Sequence, residues 1–153
     1  MALAGLSTLG VQVGYCVETT SGTRPTQSYT ELTRINSIGD ISIDLEQIDA
    51  SAMVDEITKN VAGRGSVSDW SITVNVTPDT LTEWETLITA ASADATKRTW
   101  FEITHPSLSD AYFVCAELPS KLPINGLEQN SLMTMEIPLT INEVHGYDDK
   151  VAF

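Results

Sequence analysis

The chain has 153 residues, 42 % of them hydrophobic, with 8 Lys plus Arg against 21 Asp plus Glu and a formal net charge of −13. That length fits one domain with a core of its own, and the apolar content is that of a globular rather than a disordered chain. The charge excludes a protein that grips nucleic acid through a basic stripe, and no apolar run nears the roughly 20 residues of a membrane-spanning helix.

The start, Met1-Ala-Leu-Ala-Gly-Leu-Ser-Thr, has neither the basic nor the apolar region of a secretion signal. Val11, Val13, Tyr15 and Val17 then alternate with Gln12, Gly14 and Cys16, a period of two that predicts a first strand over 10–17. Residues 19–27 are rich in Ser, Thr, Gly and Pro and read as a loop. A strand is expected over 29–36. Gly39 breaks the chain, and Ile41, Ile43 and Leu45 alternate with Ser42 and Asp44 in another strand.

From Glu46 to Ser68 the pattern fails. Asp40 to Glu56 holds six acids and no Lys or Arg, which suits solubility, repulsion of polyanions or a basic partner. A Gly63-Arg64-Gly65 turn follows, and a helical turn around 52–58 is one option. So long a stretch without an element points to a functional arm or lid, with disorder the competing reading. The apolar Ile48, Met53, Val54, Ile57 and Val61 imply that part of it docks on something.

Trp70, Ile72, Val74 and Val76 alternate with Ser71, Thr73, Asn75 and Thr77 in a well-defined strand. The period then changes. Thr77 can cap a helix, Pro78 suits its first position and Asp79 complements its dipole; Thr80 to Glu83 also fits a capping box, which would start the helix slightly later. Leu81, Trp84, Leu87, Ile88 and Ala91 mark its apolar face, and it ends near Ala95. Strands are expected over 99–104 and 111–118, joined by a short hairpin-like connection, and a loop over 119–130.

Met133, Met135, Ile137, Leu139 and Ile141 alternate with Thr134, Glu136, Pro138, Thr140 and Asn142 in a long strand over 131–143. Pro138 cannot donate a ladder hydrogen bond, so this strand lies at an edge or carries a bulge. The polar tail, 145–153, is expected to be mobile until a partner docks it.

No catalytic constellation emerges. His105 and His145 stand alone, without His-x-His, HExxH or EF-hand spacing. Gly63-Arg64-Gly65-Ser66 lacks the second glycine and lysine of a P-loop, and no Gly-x-Ser-x-Gly elbow occurs. Cys16 and Cys115 belong to no CxxC pair and are expected as buried thiols rather than a disulfide. The pairs Glu83 and Glu85, and Asp148 and Asp149, read as a helix surface and a solvated tail. Trp70, Trp84 and Trp100 fall on apolar phases and read as core. Neither an enzyme nor a cofactor or metal site is expected. The order of elements predicts a mainly β fold, an antiparallel β-sandwich or flattened barrel with one flanking α-helix and a long protruding loop.

Several ordered segments carry a resemblance: 2–11, 37–42 with 46–49, 61–64, Trp70-Ser-Ile-Thr-Val-Asn75, Trp84-Glu-Thr-Leu-Ile88, Trp100-Phe-Glu-Ile-Thr-His-Pro106 and 129–140. Together they resemble the major tail tube proteins of long-tailed bacteriophages. The resemblance implies a single tail tube domain over 1–153 whose copies pair strands into a six-membered ring, with rings stacked into a hollow tube. A loop between two early strands, here 44–68, would reach toward the neighbouring ring, with Glu46, Ile48, Asp49, Asp55, Glu56, Lys59 and Arg64 as its contact residues. Ser42, Asp44, Thr134, Glu136 and Thr140 are the polar candidates for lining the lumen, with the inward face left open. The implied partners are other copies of the chain, a tape-measure protein, and tail terminator and tip proteins. Double-stranded DNA would pass through without specific binding, and no membrane is involved. The implied place is the virion tail, after synthesis in the host bacterial cytoplasm. A tube protein of a related contractile injection device would share the fold. A monomeric secreted β-sandwich that binds a ligand is the rival of another class.

Overall fold

The computed structural model describes residues 4–26 and 28–153. Met1–Leu3, part of the signal reading and of the first resembling segment, and Gln27 of the expected loop lie outside the described residues. In chain order the elements are β1 (Gln12–Val17), β2 (Thr30–Leu32), β3 (Ile35–Ile38), β4 (Ile43–Asp49), β5 (Asn60–Val67), β6 (Trp70–Asn75), α1 (Pro78–Ser92), β7 (Thr99–Thr104), β8 (Asp110–Glu117) and β9 (Thr134–Asp149). The fold is mainly β with one flanking helix, as the alternation of residues predicts.

Seven strands form one antiparallel sheet in the order β2-β1-β7-β8-β9-β6-β3. Its two margins, β2 and β3, are separated in the chain only by Thr33 and Arg34. Two residues cannot span an open seven-stranded sheet, so the sheet curls until its margins approach each other. Arg34 sits at φ 57°, in the left-handed region, and this sharp corner splits the single strand expected over 29–36 into two.

The long strand β9 holds the two halves of the sandwich together. Residues 134–139 pair with β6, and residues 140–149 pair with β8. Irregular pairing opposite Phe113/Val114 and Cys115/Ala116 accommodates the bend. Residues 145–149, read from sequence as the start of a mobile tail, are the end of this strand. Their apolar signal is weak because ladder hydrogen bonds rather than side-chain burial hold them; Tyr147 stacks edge-on against Tyr112 at 5.0 Å.

The main core lies between the curled halves and under α1. It includes Val13, Ile72, Val74, Phe101, Val114, Met135 and Ile137, with Trp84 and Leu87 delivered by the helix. The helix begins where the cap at Thr77 predicts. Thr77 Oγ1 accepts from Thr80 N at 3.2 Å, and Thr80 Oγ1 accepts from Thr77 N at 2.8 Å, so Thr80 completes the box rather than starting a later one.

A second apolar cluster, Tyr29, Trp100, Ala111, Phe113 and Cys115, covers the other face of β7 and β8. Arg24 lies 4.2 Å over the Phe113 ring, and the C-terminal Val151 packs against the cluster. Phe153 occupies the space that Gly14 leaves open; a Cβ on Gly14 would sit 2.2 Å from the Phe153 ring. Among the described residues no disulfide forms, and Cys115 is buried.

Candidate assembly surfaces

The ribbon of β3 and β6 does not stop at the body. Ile38 pairs with Ile72, Gly39 N donates to Ser71 O at 2.8 Å, and Ser68 N donates to Ser42 O at 3.1 Å. The same two chain directions then continue as β4 and β5, from the pair Ile43–Val67 out to Asp49–Asn60. The stretch expected to lack an element is therefore a hairpin, roughly 23 Å long at about 3.3 Å per residue. Every residue of β4 is exposed, and of β5 only Gly63 is half-buried.

The tip is built from short polar contacts rather than a helical turn. Asp49 Oδ1 accepts from Ser51 N at 2.9 Å, Asp55 Oδ2 accepts from Ala52 N at 2.8 Å, and Lys59 N donates to Ser51 Oγ at 2.7 Å. The hydrogen bonds from Ser51 hold the Asp49 carboxyl below the usual carboxylate range. All the expected arm residues, Glu46, Ile48, Asp49, Asp55, Glu56, Lys59 and Arg64, lie on this hairpin.

What the expected set lacks is most of the arm's apolar surface. Ile43, Leu45, Ile48, Met53, Val54, Ile57, Val61 and Val67 are eight of the seventeen exposed large hydrophobic residues among those described, so this surface is concentrated rather than scattered. Met53 and Val54 stand 105 and 89 % exposed. The signal for these residues was present in the sequence as apolar side chains in an acidic stretch.

A second surface is the outer face of β3, β6 and the first half of β9. Met135, Ile137 and Leu139 point into the core, which turns Glu136 outward. Thr134 pairs with Asn75 and Glu136 with Thr73. Ser71 Oγ donates to Glu136 Oε1 at 2.9 Å, and Asn36 Nδ2 donates to Asn75 Oδ1 at 2.9 Å. This face unites Thr134 and Glu136 with Ser71, Thr73 and Asn75, and the exposed Thr140 follows where β9 passes to β8. None of these three strand segments contains Lys or Arg. Ser42 and Asp44, expected beside them, lie instead on the arm, because the chain leaves the body at Gly39.

Open margins border this face. Glu136 N donates to Asn125 Oδ1 at 3.1 Å, away from β6, and Pro138 shares its phase. The missing N–H of Pro138 thus falls on the free side of β9, as a strand proline requires. The outer margin of β3 flanks a groove of about 380 Å³ lined by Thr8, Val11, Ile35, Asn36, Ser37 and Ile38.

Elsewhere the polar groups serve structure. Buried Glu18 accepts from Arg98 N at 2.8 Å, from the Arg98 guanidinium, from Trp100 Nε1 at 3.1 Å and from Gly22 N at 3.3 Å. Desolvation works against its charge, but these hydrogen bonds together outweigh it and lower its pKa. His105 Nε2 lies 2.6 Å from Ser7 O, and His145 Nε2 lies 2.8 Å from Asp148 Oδ2. Among the described residues no group of three or more His, Cys, Asp or Glu is placed to hold a metal ion.

No family model and no curated protein matches the sequence. Solved structures do match. A chain of the anti-feeding prophage (AFP) baseplate, six-fold symmetrised, aligns with TM-score 0.61 at 10 % identity over 95 % of this chain and 97 % of that one. The sheath/tube terminator structure of the extracellular contractile injection system PVC gives TM-score 0.64 at 15 % identity over 94 % and 97 %. The extended PVC sheath-tube complex gives 0.52 at 17 % identity over 91 % and 89 %. The fold of this chain is therefore phage-tail-like, the one found in tail-related chains of contractile injection systems.

Proposed function

We propose that the chain is a structural tube subunit of a tail-like contractile injection device. Copies join through open strand margins into closed rings, and the arm of each copy reaches the next ring. The observation that carries this reading is the arm: a ribbon exposed on both faces that displays eight large apolar side chains. Such a ribbon has little stability alone and gains it when covered. Ring closure follows from a heterologous interface whose rotation closes. The open side of β9 and the outer margin of β3 are the strand edges available for it. Other tail components, a terminator or a tape-measure protein among them, would meet the ends and interior of such a tube.

A second reading, the tube of a long-tailed phage that conducts double-stranded DNA, is favoured by the cation-free polar face of β3, β6 and β9. Duplex DNA carries about one negative charge per 1.7 Å of axis, so a wall without Lys or Arg gives phosphates nothing to bind. Both readings predict that the purified chain forms rings or tubes in negative-stain micrographs. Replacing 46–64 with a short turn should abolish stacking. Normal tubes from the shortened chain would refute the role of the arm, and a wild-type chain that stays monomeric at high concentration would refute the tube itself.

A further inference from the structure

The arm changes faces halfway along. In β4 the apolar residues shift phase, from Ile43 and Leu45 to Ile48. In β5 they do not, since Val67, Gly65 and Val61 all keep one phase in the sequence. The register reconciles the two strands. Leu45 pairs with Gly65 and Gln47 with Ala62, so Glu46 alone opposes both Gly63 and Arg64. This bulge brings β5 into step with β4 and pairs Ile48 with Val61.

The glycines report the same switch. A Cβ on Gly65 would meet Leu45 Cδ2 at 3.2 Å and Ile43 Cγ2 at 3.3 Å, on the base face. A Cβ on Gly63 would meet Ile48 Cδ1 at 3.2 Å and Glu46 Cβ at 3.3 Å, on the other face. The base patch is Ile43, Leu45 and Val67. The tip patch is Ile48 and Val61, leading to the exposed tip loop. Asp44 and Glu46 share the tip-patch face but sit nearer the body, where a partner lying flat along that face would bury their charges unpaired.

We propose that the arm is a two-sided connector: its base patch and its tip patch are covered by two different copies of this chain. The inference rests on the tube reading above. The chain itself offers suitable counter-surfaces. Residues 4–15 carry no charged side chain, and 118–133 carry only Lys121 and Glu128, yet they expose Leu6, Leu9, Ile124, Leu127, Leu132 and Met133. For a chain of net charge −13 these are the places where a second acidic copy can approach without repulsion. Area points the same way. The exposed apolar surface of one arm comes to roughly 500 Å² at about 100 Å² for each fully exposed aliphatic side chain. A stable pair buries about 800 Å² a side, so one arm on one acceptor is insufficient and repeated contacts are needed.

The test places a photo-crosslinking residue at both Leu45 and Ile48 and co-assembles this chain as a minor fraction, about one in twenty, with unlabelled protein. Illumination of the tubes should yield a three-chain product, one labelled arm joined to two unlabelled copies. Tubes that give two-chain products only would overturn the two-sided connector while leaving the tube reading intact. Wild-type protein that forms no rings or tubes would overturn both. A composition-preserving variant gives an independent measurement: Gln47→Ile with Ile48→Gln, and Val61→Ala with Ala62→Val, moves the tip patch to the base face. It should lose tube formation with the thermal melt of the body unchanged, whereas normal tubes would again overturn the proposal.

Discussion

Strands β5 and β6 are separated in the chain by two residues and belong to one continuous ribbon with β4 and β3. In β6, Trp70, Ile72 and Val74 are 2, 0 and 0 % exposed; in β5, Val61 and Val67 are 52 and 38 % exposed. Both strands carry apolar residues at alternate positions. The difference lies in what stands over them. β6 has the opposite half of the sandwich and α1 above its apolar face, and it gains roughly 25 cal/mol per Å² buried. The arm has solvent on both sides, so its apolar residues contribute nothing to the stability of the lone chain. Body and arm thus divide two tasks: one encodes the fold, the other holds binding surface in reserve.

That division can be broken by substitution. The largest effect is expected in the body. Trp84→Ala empties a fully buried site under the helix and should cost about 4 kcal/mol, read by denaturant unfolding of the unassembled chain. A cost below about 1 kcal/mol would mean that α1 is not locked to the core.

An intermediate effect is expected from the two buried glutamates, with opposite signs in pH. Glu18 has a lowered folded pKa, so its contribution is full above the unfolded value of about 4.3 and is lost as pH falls through the folded one. Glu18→Gln should cost about 2 kcal/mol at neutral pH, and the gap to wild type should close in acid. For Glu102, desolvation raises the pKa despite the hydrogen bond from Val151 N. Its contribution is full below about 4.3 and is lost as pH rises through the folded value. Glu102→Gln should therefore fare better relative to wild type at high pH than at low pH. Unfolding curves across pH 4 to 8 compare the two slopes, and equal slopes would contradict the assignment.

The smallest effect belongs to the arm. Met53→Ser should change the stability of the unassembled chain by less than about 0.5 kcal/mol, because a fully exposed side chain has no contacts to lose. A destabilisation of 2 kcal/mol or more would show that the tip packs on its own body, and the contrast between arm and body would fail.

The residues read one by one determined a good deal of this molecule. Alternation at Trp70–Asn75 and Met133–Ile141 located strands and named their buried phases, the Thr77-Pro78 cap located the helix, and Pro138 announced a free strand side. These are local properties, set by side-chain period and by backbone donors. Tertiary structure decided the rest. It alone made a hairpin of 46–68, whose two exposed faces and mid-ribbon bulge erase any alternation signal. It carried β9 onward through 145–149, where backbone pairing replaces side-chain burial. It gathered Ser71, Thr73 and Asn75 with Thr134 and Glu136 and sent Ser42 and Asp44 elsewhere. Which polar residues share a surface depends on register between distant strands, and register is fixed by packing across the whole sheet rather than by any one segment.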